Sequence, residues 1–108
     1  MITEYVLFDL PRGISREEVV AGMHGIAPRW QKEPNLVRKT FLYDPGAGQA
    51  GAFYLWKDRA SAEAAHDEAW RQRIRSTYGS EPRIRYFETP LVVDNALGAL
   101  IEEQASQR

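Results

Sequence analysis

The sequence contains no cysteine, and this absence excludes several kinds of chemistry. Disulfide bonds, thiolate nucleophiles, iron–sulfur clusters and cysteine-ligated zinc sites all depend on the cysteine sulfur. A glycine-rich dinucleotide-binding fingerprint is also missing. The two histidines, His24 and His66, do not by themselves make a metal site. The sequence therefore predicts neither a metal nor another cofactor.

Long apolar runs and an excess of one charge sign are absent too. No apolar run approaches the roughly 20 residues that a membrane-spanning helix needs. The first residues are typical of a strand and not of a signal peptide. The chain has 14 Lys and Arg residues and 15 Asp and Glu residues. Its net charge therefore does not favour binding to nucleic acid or to an anionic membrane. We expect a soluble, cytoplasmic protein that binds neither.

An uncharged, aromatic-rich stretch, residues 51–56, lies at the centre of the chain. A glycine-rich segment precedes it and charged residues follow, which is typical of a strand buried on both faces. Phe53 and Leu55 then point to one side of the sheet, and Tyr54 and Trp56 point to the other. The second side is apolar but carries a hydroxyl and an indole N–H, so it can line a pocket.

The remaining pattern predicts one domain of 108 residues with four strands and two long helices. Ser15 and Glu18 form a capping box at the start of the first helix, and Pro28 is expected to kink that helix or end it early. The second helix starts within residues 58–61 and ends near Gly79, which can supply a left-handed cap. The predicted strands are 2–10, 36–43, 51–56 and 83–89; an extended piece covers 91–93, a short helix covers 96–103, and the chain frays from about residue 104.

The element order β-α-β-β-α-β predicts an α+β fold, the ferredoxin-like sandwich with a four-stranded antiparallel sheet. Both helices then cover one face of the sheet only. Strands 1 and 3 carry apolar residues on both faces, and an uncovered apolar sheet face would be a large exposed hydrophobic patch that promotes association. We therefore predict a homodimer in which the open faces pack together, with residues 91–95 adding contacts at the rim.

Several segments of the chain resemble the dimeric α+β-barrel superfamily. They are residues 34–36 leading into Lys39, residues 51–56, the alanine-rich helix with His66 and Trp70, and Tyr78 with Gly79 before the last strand. More narrowly, the chain is similar to small bacterial proteins of this superfamily that are assigned as monooxygenases and are related to the antibiotic-biosynthesis monooxygenases. The resemblance implies a homodimer, a cavity between sheet and helices, and in some members oxygenation of electron-rich aromatic substrates without metal or flavin.

Other branches of the superfamily isomerise, dechlorinate or degrade haem. The haem-degrading branch uses an Asn on strand 1 and a Trp before a His on the second helix. Here strand 1 has no Asn, and His66 precedes Trp70, so the sequence disfavours that branch. The quinone-forming oxygenases use a Trp, Tyr, Asn and Arg set in the cavity, and this chain offers Trp, Tyr and Arg candidates but no Asn that aligns.

The candidate site follows from the hairpin of strands 2 and 3. The favoured register pairs three sets of residues on one face: Tyr43 with Ala52, Phe41 with Tyr54, and Lys39 with Trp56. A slip by one residue would turn residues 53 and 55 toward the cavity instead. The predicted catalytic residues are His66, Tyr54 and Lys39. The predicted substrate-binding residues are Trp56, Trp30, Trp70, Phe41 and Arg85.

Such a pocket suits a flat, acidic aromatic molecule. Lys39 or Arg85 would stabilise a substrate phenolate, His66 or Tyr54 would move its proton, and the electron-rich ring itself would reduce dioxygen. The predicted function is a cofactor-independent monooxygenase for a small phenol- or anthrone-like substrate. A purely structural role for each residue also stays open. Aromatic residues fill cores, lysines lie at strand edges, and a lone buried histidine is often only hydrogen-bonded.

Two alternative functions come from other classes. The first is a non-catalytic dimeric protein of the same fold that binds or senses a small molecule, and no sequence feature separates it from an enzyme. The second is RNA binding, because RNA-recognition motifs share this element order and carry aromatics on strand 3. The basic residue expected before Gly51 is Ala50 here, and the net charge is −1, so RNA binding is disfavoured.

Overall fold

The computed structural model describes residues 1–103 and contains one four-stranded antiparallel sheet in the order β2–β3–β1–β4. Helices pack on one face of this sheet, so the predicted ferredoxin-like α+β fold is confirmed. The predicted fraying from about residue 104 lies outside the described residues. The elements are β1 Ile2–Asp9, α1 Arg16–Gln31, β2 Leu36–Asp44, β3 Gln49–Trp56, α2 Arg59–Ala65, α3 Glu68–Tyr78, β4 Arg83–Glu88, β5 Leu91–Asp94 and β6 Ala99–Glu102.

Helix α1 begins at the predicted capping box, in which the Ser15 side chain accepts from the Glu18 backbone N–H. The helix runs through Pro28 to Gln31, so the predicted early end is wrong. Trp30 in the last turn is 6% exposed and packs against Tyr54. Burial of this large indole in the core offsets the backbone hydrogen bond that Pro28 cannot make. None of the helices in residues 1–103 has the length and apolar character of a membrane span.

The predicted second helix is two helices, because the chain breaks at His66 and Asp67 between α2 and α3. The Asp67 side chain accepts a hydrogen bond of 3.0 Å from the Trp70 backbone N–H and caps the start of α3. Gly79, with φ of 76°, caps its end as predicted. Ala69, which the period of one continuous helix predicts to be buried, is exposed.

The β2–β3 hairpin closes on a turn of four residues, Pro45 to Gly48. The Asp44 carboxylate accepts from the Ala47 backbone N–H at 3.1 Å, and Gly48 has a positive φ of 66°. Strand β3 therefore begins at Gln49, two residues before the predicted start.

This earlier start makes the predicted hairpin register wrong by two residues. Lys39 lies opposite Tyr54 and not opposite Trp56, and Phe41 lies opposite Ala52. Because side chains alternate with a period of two, an even slip leaves every side chain on its predicted face. Lys39, Phe41 and Tyr54 thus still share the helix-covered side.

The predicted short helix at 96–103 is wrong, because this segment forms strand β6 of a hairpin with β5. The Asp94 carboxylate accepts from the Leu97 backbone N–H at 3.0 Å, and Gly98 has a φ of 66°, so a tight turn forms where a helix would start. An Arg38–Asp94 ion pair ties the hairpin to β2. The β5–β6 hairpin consequently lies over one end of the open sheet face.

Candidate active site

A cavity of about 320 Å³ lies between the helix-covered face of the sheet and helices α1 and α3. This volume is in the range of small-ligand sites. Strands β1 to β3 supply its floor, and the two helices supply its walls. Five of the predicted site residues line it: Lys39, Tyr54, Phe41, Trp30 and Trp70.

The other three predicted residues do not line this cavity. His66 and Trp56 are buried behind it. Arg85 lies on the opposite, open face of the sheet, where its guanidinium stacks 4.8 Å from the centroid of the Phe87 ring. Since Ile84 and Tyr86 pack against the core, alternation turns Arg85 away from it. The prediction that Arg85 binds a ligand in this cavity is therefore wrong.

Lys39 reaches the cavity from β2 and lies among three aromatic rings. Its Nζ atom is 4.1 Å from the centroid of the Phe41 ring, 4.4 Å from that of Trp30 and 4.6 Å from that of Tyr54. Burial, aided by the charge of Arg29, lowers the pKa of the Lys39 amine to about 7. A fraction of the amine is therefore neutral near pH 7 and can accept a proton.

Tyr54 supplies a phenol at the floor of the cavity. Burial, together with the nearby charge of Glu4, raises the pKa of the Tyr54 hydroxyl far above its ordinary value. The hydroxyl stays protonated at physiological pH. Tyr54 can thus donate a hydrogen bond to a ligand oxygen but is poorly suited to accept a substrate proton.

Glu4 is the main site residue that sequence reasoning missed. Its side chain is fully buried, and Oε1 accepts a 2.9 Å hydrogen bond from the Trp56 indole N–H and lies 2.6 Å from His66 Nδ1. Glu4 is on the same face of strand β1 as Val6 and Phe8, which line the core. A lone carboxylate on that face is the signal that the sequence offers. A charge in such a pattern is rarely buried without a partner.

His66 lies over Glu4 because the break between α2 and α3 places it there. Its ring lies 4.3 Å from the Trp70 ring and 4.6 Å from the Tyr54 ring, centroid to centroid. Its Nε2 atom has no hydrogen-bond partner in the described part of the chain. His66 therefore supports the cavity wall from behind and does not form the surface of the cavity.

These side chains form one row across all four strands. The sheet register sets Lys39 opposite Tyr54, Tyr54 opposite Glu4, and Glu4 opposite Tyr86. Burial and the Glu4 charge raise the pKa of Tyr86 to about 12. Within residues 1–103, no group of three His, Cys, Asp or Glu residues is placed to hold a metal ion. Of this row, Lys39 and Tyr54 line the cavity, where the neutral amine can accept a proton and the phenol can donate a hydrogen bond.

Comparison with protein families identifies one matching family. The model described as "Putative mono-oxygenase ydhR" matches residues 6–92, which is most of the chain. The match includes Lys39, Tyr54 and His66 but begins after Glu4. A comparison with curated proteins finds no significant match.

Solved structures share the fold at low sequence identity. NE2512, a protein of unknown function from Nitrosomonas europaea, is 18% identical with a TM-score of 0.66, covering 82% of this chain and 87% of its own. A structure called antibiotic biosynthesis monooxygenase is 14% identical with a TM-score of 0.61, covering 82% and 98%. A putative antibiotic biosynthesis monooxygenase from Deinococcus radiodurans is 13% identical with a TM-score of 0.62, covering 87% and 97%. At such identities these likenesses establish the fold alone.

Proposed function

Because the chain belongs to the ydhR family of putative mono-oxygenases, we propose that it oxygenates a small electron-rich aromatic substrate, a phenol or an anthrone, without a cofactor. The observation that carries the proposal is a partly buried lysine amine, Lys39, in a cavity walled by aromatic rings. Oxygenation without a cofactor requires the substrate to become an electron-rich anion. A base that is partly neutral near pH 7 can generate that anion.

The aromatic walls support the choice of substrate. Trp30, Trp70 and Phe41 present large apolar surfaces to the cavity, and a flat ring can pack against them. The Tyr54 hydroxyl can donate a hydrogen bond to the substrate oxygen that becomes negative. These contacts orient the ring and leave its acidic hydrogen near Lys39.

In the proposed reaction, neutral Lys39 accepts a proton from the substrate, and the resulting ammonium stabilises the substrate anion. The anion gives one electron to dioxygen, and the two radicals combine to form a carbon–oxygen bond. The peroxide takes up a proton from Lys39. The oxygen–oxygen bond then breaks, the hydrogen on the same carbon leaves as a proton, and water departs. One oxygen atom remains in the new carbonyl group, and the substrate supplies all the electrons.

Proton transfer is assigned to Lys39 and not to His66 or Tyr54, the other two predicted candidates. His66 lies behind the wall of the cavity, and the raised pKa of Tyr54 keeps its hydroxyl protonated. His66 and Trp56 instead hold the floor and wall in place through Glu4. Their replacement is expected to act through the geometry of the wall.

The test measures dioxygen consumption with a panel of anthrones and catechols. The parent protein should consume dioxygen with at least one of them, and Lys39→Met should slow this by at least tenfold, ~1.4 kcal/mol. Lys57→Met, which removes an exposed lysine outside the cavity, is the matched control. If the parent binds panel members but consumes no dioxygen, the alternative of a non-catalytic binding or sensor protein is correct.

We also propose that the protein works as a homodimer through its open sheet face. Phe53 and Phe87 on that face are 43% and 41% exposed. The adjoining β5–β6 hairpin adds exposed Leu91, Val93 and Leu100. Pairing with a second copy would remove this apolar surface from water.

A further inference from the structure

The cavity has an unbalanced positive charge. Arg29, Lys39 and Arg73 line it, and Glu18 is the one acidic residue among the lining residues that the structure describes. The Glu18 carboxylate is already engaged at the start of α1, where it accepts from the backbone N–H of Ser15 at 3.3 Å and from its hydroxyl at 3.1 Å. Within residues 1–103, none of the three cations forms an ion pair.

Two of the cations contact the same indole. The guanidinium carbon of Arg29 lies 4.2 Å from the centroid of the Trp30 ring, and Lys39 Nζ lies 4.4 Å from it. Their separation therefore cannot exceed the sum of these two distances. Like charges this close repel each other, and the repulsion is stronger beside a buried wall than in water. An anion bound near both cations would offset that repulsion.

The rest of the cavity is mostly apolar. Phe8, Ile74 and Tyr78 line the part that β1 and α3 enclose. A fully hydrophilic anion would leave this surface uncovered, whereas an aromatic anion satisfies both regions. Arginine is suited to the charged region because its guanidinium stays ionised and can hold both oxygens of a carboxylate.

We propose that the ligand of this cavity is an aromatic carboxylate, bound through its carboxylate by Arg29 with help from Arg73. The ring system fills the apolar part of the cavity and packs against Trp30. The inference rests on the proposed function only in placing the substrate in this cavity. It adds that the substrate carries an ionised carboxylate, separate from the negative charge that forms when Lys39 removes a proton.

The test compares two probes of nearly the same shape, naphthoate and its uncharged amide naphthamide, by titration calorimetry under argon. Naphthoate should bind at least tenfold more tightly than naphthamide. Raising sodium chloride from about 50 to about 500 mM should weaken naphthoate only, because salt screens charges at the cavity rim. Arg29→Gln should weaken naphthoate at least fivefold and leave naphthamide unchanged.

Lys57→Gln is the control for the change in net charge, because Lys57 is exposed and does not line the cavity. It should bind naphthoate as the parent does. Equal affinity for the two probes, no binding of either, or an Arg29→Gln variant that matches the parent would each overturn the inference. Binding under argon involves no turnover, so a preference for naphthoate without dioxygen consumption would contradict the proposed reaction alone.

Discussion

At the level of single residues, the partial burial of Lys39 makes the stability of the protein depend on pH. Its pKa falls from 10.5 to about 7 on folding, so between these pH values the unfolded chain binds the additional proton. The free energy of unfolding therefore rises with pH through this window, because the cost of burying a charged amine disappears. We predict that Lys39→Met stabilises the protein most at or below pH 7 and least near pH 10.5.

Urea denaturation of both proteins at several pH values measures this difference. Lys57→Met, at an exposed lysine, should show no such trend. A stabilisation by Lys39→Met that is the same at every pH would mean that the amine is not desolvated in the folded protein.

Glu4 is the residue whose partners organise the wall of the cavity. Its carboxylate receives the Trp56 indole N–H and contacts His66 Nδ1 with no access to water. Glu4→Gln keeps the shape but removes the charge that strengthens both contacts, so unfolding should become easier by about 1 to 3 kcal/mol. Chemical denaturation measures the loss. Glu17→Gln on the exposed face of α1 is the control, and a Glu4→Gln loss no larger than the control loss would refute the assignment.

Individual site residues differed in how far sequence could predict them. Lys39, Tyr54 and Phe41 could be assigned to one face because alternate residues of a strand point to the same side. A register error of two residues does not change that side. Arg85 could not, because the phase of β4 depends on its pairing with β1, and aromatic residues occupy both of its faces. Glu4 was overlooked because its partner His66 is distant in sequence and joined to it only by the fold.

At the level of elements, two glycines have opposite roles. Gly51 on β3 lies so close to β1 that a Cβ atom would overlap the Val6 carbonyl oxygen, whereas a Cβ on Gly25 in α1 would meet no atom within 4 Å. Gly51→Ala should destabilise the sheet by about 3 kcal/mol or more, because backbone must move. Gly25→Ala should stabilise the protein by about 0.5 to 1 kcal/mol, since alanine favours the helix.

Thermal or urea denaturation of the two variants measures both effects. Each variant adds one methyl group, so the two serve as controls for each other. A Gly51→Ala variant as stable as the parent would show that β1 and β3 do not approach each other as closely as described.

Element boundaries were less predictable than element types. The hairpin register was wrong because a glycine-rich segment indicates a turn but not its length, and the turn is set by the Asp44 contact to Ala47. The break in the second helix could not be predicted because an aspartate can also lie inside a helix. Only the structure shows that the Asp67 side chain caps the start of α3. The β5–β6 hairpin was missed because its turn depends on a contact from Asp94 to Leu97.

At the level of the whole molecule, the ferredoxin-like fold was predictable because it depends on element order and burial pattern and not on exact boundaries. The dimer stays a prediction. An interface of two sheet faces should bury above ~2,000 Å². Phe53→Glu together with Phe87→Glu would place charges in its centre and should give a folded monomer.

Analytical ultracentrifugation at micromolar concentration measures the assembly. The parent should sediment as a dimer, and Ala69→Glu, at an exposed position on α3, should remain one. A parent that sediments as a folded monomer would show that the open face is not a dimer interface.

Oxygenation of an aromatic substrate through Lys39 is tested most sharply by the rate at which ¹⁸O from ¹⁸O₂ enters an anthrone product, measured by mass spectrometry across pH. The parent should place one labelled atom in each product molecule, with a rate that rises as pH passes about 7 and the Lys39 amine loses its proton. Lys39→Met should be at least tenfold slower and lack this rise. Product without label, or a Lys39→Met variant that labels product as fast as the parent, would contradict the claim that this cavity oxygenates an aromatic substrate through Lys39.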